Sequence, residues 1–153
     1  MAIPCTIKER EYDKFVECDG ETAVNVKICN PGDINGGGNS NIEFDLADGA
    51  VSAIKAIYKT INGVSPGDKD ISFETSTIIG ISITGSSGGT QIKYQIDGRL
   101  EDSSFNFPLN DPLYLGNNGD ITNVVPVTGW RVRLGTSMGI GAIQIELEEP
   151  IEL

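Results

Sequence analysis

Pro112-Leu113-Tyr114-Leu115-Gly116-Asn117-Asn118-Gly119-Asp120-Ile121-Thr122 sets two short apolar runs on either side of an Asn-Gly turn. Gly carries no Cβ penalty at positive φ and Asn tolerates that region better than most residues. Asn118-Gly119 therefore supplies the pair that a type I′ hairpin requires. A weaker copy of the pattern lies upstream, where Ala56-Ile57-Tyr58 is followed by Asn62-Gly63-Val64, so that Gly63 stands to Tyr58 as Gly119 stands to Tyr114. Each copy has a similar sequel, Ile78-Ile79-Gly80-Ile81-Ser82 in one and Arg133-Leu134-Gly135-Thr136-Ser137 in the other. An alternating run follows each, Gln91 to Ile96 and Ala142 to Leu147. Landmarks repeated in one order at nearly one offset predict an internal duplication, although two copies do not make a solenoid.

The rest of the composition agrees with strands and turns. Nineteen Gly, seven Pro and many short runs of Ile, Val, Leu and Thr in 153 residues predict an all-β chain. A chain of this length buries about 70% of its unfolded surface in one core. The expected fold is a compact β-barrel or β-sandwich built from two related halves, preceded by an N-terminal β-hairpin arm.

The arm covers residues 1–30. Within its densely charged stretch, Phe15-Val16-Glu17-Cys18 and Thr22 to Ile28 flank Asp19-Gly20, a hairpin signal, and Val24, Val26 and Ile28 share one face by the two-residue period. A lone hairpin is marginal in water, so the arm must pack against something. Tyr12, Phe15, Val16, Val24, Val26 and Ile28 are its expected partner-binding residues. Residues 31–41, rich in Gly, Asn and Ser, read as a linker, and residues 42–153 as the all-β body.

Inside the body, Ile42 to Leu46 alternates as a strand. Ala50 to Ile61 is ambiguous, because Ile54, Ile57, Tyr58 and Ile61 recur at helical spacing; the matching region of the other copy holds Pro108 and Pro112, which favours extended structure. Ile71-Ser72-Phe73, Thr77 to Thr84, Thr90 to Ile96, Trp130 to Leu134 and Ala142 to Leu147 read as strands, with turns at Ser86 to Gly89 and Asp97-Gly98.

Charge and residue types narrow the chemistry. With 22 acidic against 11 basic residues the net charge is −11, the wrong sign for a phosphate backbone, so no nucleic-acid partner is expected. No apolar run is long enough to span a bilayer and no signal-peptide pattern opens the chain, so synthesis in a cytoplasm and no membrane partner are expected. Cys5, Cys18 and Cys29 lack a C-x-x-C spacing, and three thiols cannot all pair within one chain. They read as small hydrophobes in a reducing compartment, or alternatively as intermolecular thiols in an assembly.

The chain contains no His. Ser-His-Asp and Cys-His pairs, imidazole acid–base work and His-containing zinc sites are excluded together. A paired-carboxylate glycosidase would need two acids across a cleft, whereas most acids here sit in turns or alternate outward, as Glu146 and Glu148 do. Asp68-Lys69-Asp70 with Glu74 lacks the spacing and turn Gly of an EF-hand, and the Gly clusters lack a Walker A ending. Tyr58, Tyr94, Tyr114 and Trp130 are the candidates for a sugar-stacking platform, with core packing as their default role. No enzyme, cofactor or metal is expected.

One family resemblance emerges from these residues. Ile79-Gly80-Ile81-Ser82 through Asp97-Gly98, then Pro112 to Gly119, Pro126-Val127-Thr128-Gly129-Trp130, Leu134-Gly135 and Pro150-Ile151 resemble a module of tailed-bacteriophage virion proteins, over roughly residues 50 to 152. Arg10 to Glu17 with Gly20 to Val26 is similar to a second phage segment found in head or tail structural proteins; this chain has Cys18 where that segment usually has an acid. The resemblance implies a virion component without fixing its place in the particle; the expected function is a non-enzymatic structural one, a capsid decoration or head fibre attached through the arm. Its partners would be other virion proteins, either the major capsid protein or neck and tail components, and it would be a homo-oligomer such as a trimer. A tail fibre, collar or baseplate adaptor, or a carbohydrate- or receptor-binding module, is the alternative.

Overall fold

The computed structural model describes residues 41–153 and, for backbone pairing alone, Cys5–Glu9 and Lys14–Cys18. The chain divides into two compact units, Met1–Gly38 and Asn39–Leu153. In the first, β1 (Cys5–Glu9) and β2 (Lys14–Cys18) pair antiparallel, with Cys5 opposite Cys18. The hairpin expected across Asp19-Gly20 and all of the linker at 31–41 but Asn41 lie outside the described residues, as do the side chains of Tyr12, Phe15, Val16, Val24, Val26 and Ile28 and of all three cysteines.

The body is all β, as its alternating runs and turn residues predict. Ten strands fall into two groups of five. The first comprises β3 (Ile42–Leu46), β4 (Ala56–Lys59), β5 (Val64–Pro66), β6 (Ile78–Ser82) and β7 (Gln91–Gln95). The second comprises β8 (Gly98–Glu101), β9 (Pro112–Leu115), β10 (Ile121–Thr122), β12 (Arg133–Ser137) and β13 (Ala142–Ile145). Outside both groups, β11 (Trp130–Arg131) pairs with β14 (Ile151–Glu152) as a separate two-stranded ribbon.

The two sheets have one topology. Their strand orders are β3-β7-β6-β4-β5 and β8-β13-β12-β9-β10, so each strand of the first has a counterpart at the same place in the second. Register repeats too. Ile57 faces Gly80 and Tyr58 faces Ile78 across one bulge; Leu113 faces Gly135 and Tyr114 faces Arg133 across the other. Tyr58 and Tyr114 are thus equivalent, and residues 56–59 are a strand despite their helical periodicity.

The repeat extends to single hydrogen bonds. Ile54 and Asn110 both lie in the left-handed region, at φ 59° and 67°, and their N–H groups donate to the carbonyls of Ser82 and Ser137 at 2.8 and 2.9 Å. The Ser82 and Ser137 side chains are both buried and donate to the carbonyls of Ser52 and Phe107. Asn suits the left-handed conformation and a β-branched residue does not, so copy two carries the residue the backbone asks for. Ile54 packs against the cluster that Ile81 forms with Leu100, Phe105, Leu113, Ile143 and Ile145, and that burial offsets the strain.

Glycine is required at the paired bulges. A Cβ on Gly80 would come within 2.7 Å of the Gln95 carbonyl oxygen, and one on Gly135 would overlap the Gln144 carbonyl outright. The bulges let β6 and β12 press against β7 and β13 and turn their sheets. In the first half the curl brings the outer strands together, where Ala47 bridges Val64 in parallel and Asp48 N–H donates to Val64 O at 2.8 Å.

The core divides along the same lines. Val51, Ile57, Val64, Ile92 and Tyr94 fill the first half. The other two clusters join the halves: Ile81 packs with Leu100, Phe105, Leu113, Ile143 and Ile145, and Ala56 and Ile78 pack with Leu115, Val132 and Leu134. Each such aliphatic side chain, fully buried, contributes about 1.5–3 kcal/mol.

Several details differ from the sequence reading, among them the run Trp130 to Leu134, which divides between β11 and β12 of different sheets. Ile71-Ser72-Phe73 is not a strand, because Ser72 caps a short helix, α1 (Phe73–Ser76), in a reciprocal pair of bonds with Thr75. The Asn118-Gly119 pair has positive φ at both residues as expected, but it sits in a five-residue loop closed by Leu115 and Ile121.

Gly135→Ala should destabilise the body by more than about 3 kcal/mol, beyond an ordinary point mutation, because the clash is with backbone on a paired strand. Gly89→Ala, where no atom lies within 4 Å and only the strain at φ 65° applies, is the control and should cost about 1 kcal/mol. Urea denaturation of both variants measures the difference.

Candidate functional site

Four segments meet at one corner of the body: residues 67–73, the Asn117–Gly119 turn, Gly129-Trp130 and the C-terminal strand β14. Gly67 follows β5 and accepts from Gly119 N–H at 2.6 Å. The Asp68 carboxylate accepts from the backbone N–H of Asp70 at 2.9 Å and of Asn118 at 3.0 Å. Asn117 Nδ2 donates to Asp70 Oδ2 at 2.9 Å. The loop of the first half therefore holds the turn of the second half by three independent bonds.

Gly119 has no room for a side chain, since a Cβ there would lie 2.7 Å from the Ala56 carbonyl. The next residue along, Asp120, pairs with Lys55 of the first half.

Aromatic residues flank this junction. The Trp130 backbone N–H donates to Lys69 O at 2.8 Å, which holds that residue's main chain beside the loop, and the Phe73 and Trp130 rings meet edge to face, with centroids 5.4 Å apart at 67°. Phe73 is 50% exposed and Ile71 70%, while Trp130 is half-buried. Asp70 Oδ1 lies 2.5 Å from where a Cβ of Gly129 would stand, so the carboxylate sits directly next to the indole's own backbone. Lys69 Nζ reaches the same carboxylate at 2.6 Å. These two bonds, Lys69 first and Asn117 second, hold the Asp70 carboxyl below the usual carboxylate range.

Of the acidic run considered for calcium, Asp68 and Asp70 are thus occupied as turn locks, and Glu74 opens the helix with its neighbours. Among the described residues no group of three Cys, Asp or Glu side chains has the geometry to hold a metal ion. The tyrosines divide. Tyr94 is buried, and its hydroxyl donates to Glu43 Oε2 at 2.9 Å; burial first, and Glu43 second, push its pKa up. Tyr58 packs against the junction of the halves, and Tyr114 is half-buried opposite Arg133. Trp130 alone of the four stands beside an exposed ring. Phe73 carried no sequence signal for this role, because its partner lies 57 residues away and only the fold joins them. No protein-family model and no curated protein matches the chain.

A carboxyl with a lowered folded pKa adds stability above its unfolded pKa of about 3.9 and loses it as pH falls through the folded value. The corner should therefore stay closed as pH drops past 4 and loosen only below. Asp70→Asn should remove that acid-linked change. The emission of Trp130, the single Trp, followed against pH in both proteins, checks it.

Proposed function

We propose that the chain is a non-enzymatic structural protein of a tailed-phage virion, a capsid decoration or head fibre, anchored through its first thirty residues to another virion protein or a neighbouring subunit. The observation that carries this reading is the division into Met1–Gly38 and Asn39–Leu153. Among the described residues, the body's buried clusters draw on residues 47–147. A strand pair such as β1–β2 is marginal by itself and gains stability by docking. Adding a strand to an exposed sheet edge pairs its open backbone groups and covers its apolar face. The ordered segments that resemble phage virion modules give the partner class, and the absence of His leaves the commonest nucleophile and acid–base chemistries without their central group.

Deletion of residues 1–41 tests the anchor. The remainder should stay soluble, melt cooperatively and no longer join the particle when supplied during phage growth. Incorporation at the normal copy number overturns the anchor. A remainder that does not fold assigns the arm to the body's core instead.

A further inference from the structure

We infer that the corner formed by Phe73, Trp130, Asp70 and Asn117 is a binding site for a neutral saccharide, with the C–H face of one pyranose ring laid on the exposed aromatic surface. The inference is independent of the virion assignment.

Three features of the corner select this ligand class. The first is the aromatic pair. Phe73 meets the chain's one Trp edge to face and keeps half its residue surface in water. An apolar residue at a loop tip is ordinarily unremarkable; here Ile71, Phe73 and Trp130 gather where four segments meet, on polar backbone locked from both halves.

The second feature is the polar rim. Asp70 and Asn117 fix each other at 2.9 Å, and Asp68 fixes the backbone of both loops, so carboxylate and amide are oriented before any ligand arrives. A rim of this kind matches hydroxyl groups, which both donate and accept. The carboxylate accepts from one hydroxyl, and the Asn117 carbonyl oxygen, left over from the amide's bond to Asp70, accepts from another. Pre-fixed partners reduce the ordering cost of binding.

The third feature is charge. Lys69 Nζ is 2.6 Å from the Asp70 carboxylate, so the nearest cation and anion are already paired with each other. A charged ligand would have to compete with that pair, whereas a neutral polyol leaves it intact. Gly129 keeps the approach open, because any side chain there would displace the Asp70 carboxylate.

The test is a titration of the full chain, read by Trp130 emission and by calorimetry, with maltohexaose, cellohexaose, a galacto-oligosaccharide and chitohexaose as probes. A saturable emission change with at least one neutral probe is expected. It should weaken at least tenfold in Phe73→Ala and survive high salt. Thermal melting of that variant separates lost binding from lost folding, since Phe73 is half-exposed and its removal should leave the melt near the parent's. No saturable change with any neutral probe overturns the inference. So does a signal that persists undiminished in a folded Phe73→Ala, or one that high salt abolishes.

Discussion

The body depends on the grip of one half on the turn of the other. Gly119 N–H meets the Gly67 carbonyl, Asp68 holds the Asn118 backbone, and Asp70 holds the Asn117 side chain. A side chain at position 119 would strike Ala56 backbone, so the two sheets close only because that residue is Gly. Buried backbone groups must find partners, and here the partners come from across the molecule. The same closure places Trp130 and Phe73 together at a polar corner of the body.

Duplication explains why the halves fit once and then stop. The first half turns Ala56, Ile78 and Ile81 outward onto the second. At the equivalent outward positions the second half carries Pro112, Arg133 and Thr136, none fully buried. On the receiving side, Leu115 and Val132 correspond to Lys59 and Thr77 in the first half, neither of them buried. Arg133 and Thr136 on one side, and Lys59 and Thr77 on the other, are thus polar where the internal interface is apolar. Terminal repeats with polar outer faces keep stacked units from extending head to tail. Arg133 also ties its own face down, to Glu148 at 3.0 Å and Thr136 at 2.9 Å.

Much of this was legible in the sequence. The Tyr, Gly and Ser landmarks repeat because they occupy equivalent strands, bulges and buried bonds, and the repeat correctly set extended structure over helical periodicity at residues 56–59. What escaped was contact between segments far apart in the chain. Phe73 carried no pattern of its own, since its neighbourhood read as a strand and its ring matters only once β11 lies beside it. Residues 67–70 looked like a bland acidic loop because a carboxylate that accepts backbone N–H groups from another loop has the same local sequence as one in water. The strand β8 was also missed, as Gly98-Arg99-Leu100-Glu101 contains one apolar residue and gains its identity by pairing with β13. For the arm, composition indicates a small charged unit but not its partner surface.

The functional account turns on where the protein resides. Quantitative mass spectrometry of purified phage particles, scaled to the major capsid protein, measures it directly. The account predicts that the chain copurifies with the particle at many copies, in fixed ratio to the capsid lattice. Recovery of the chain only from the free lysate, with none on purified particles, would contradict it.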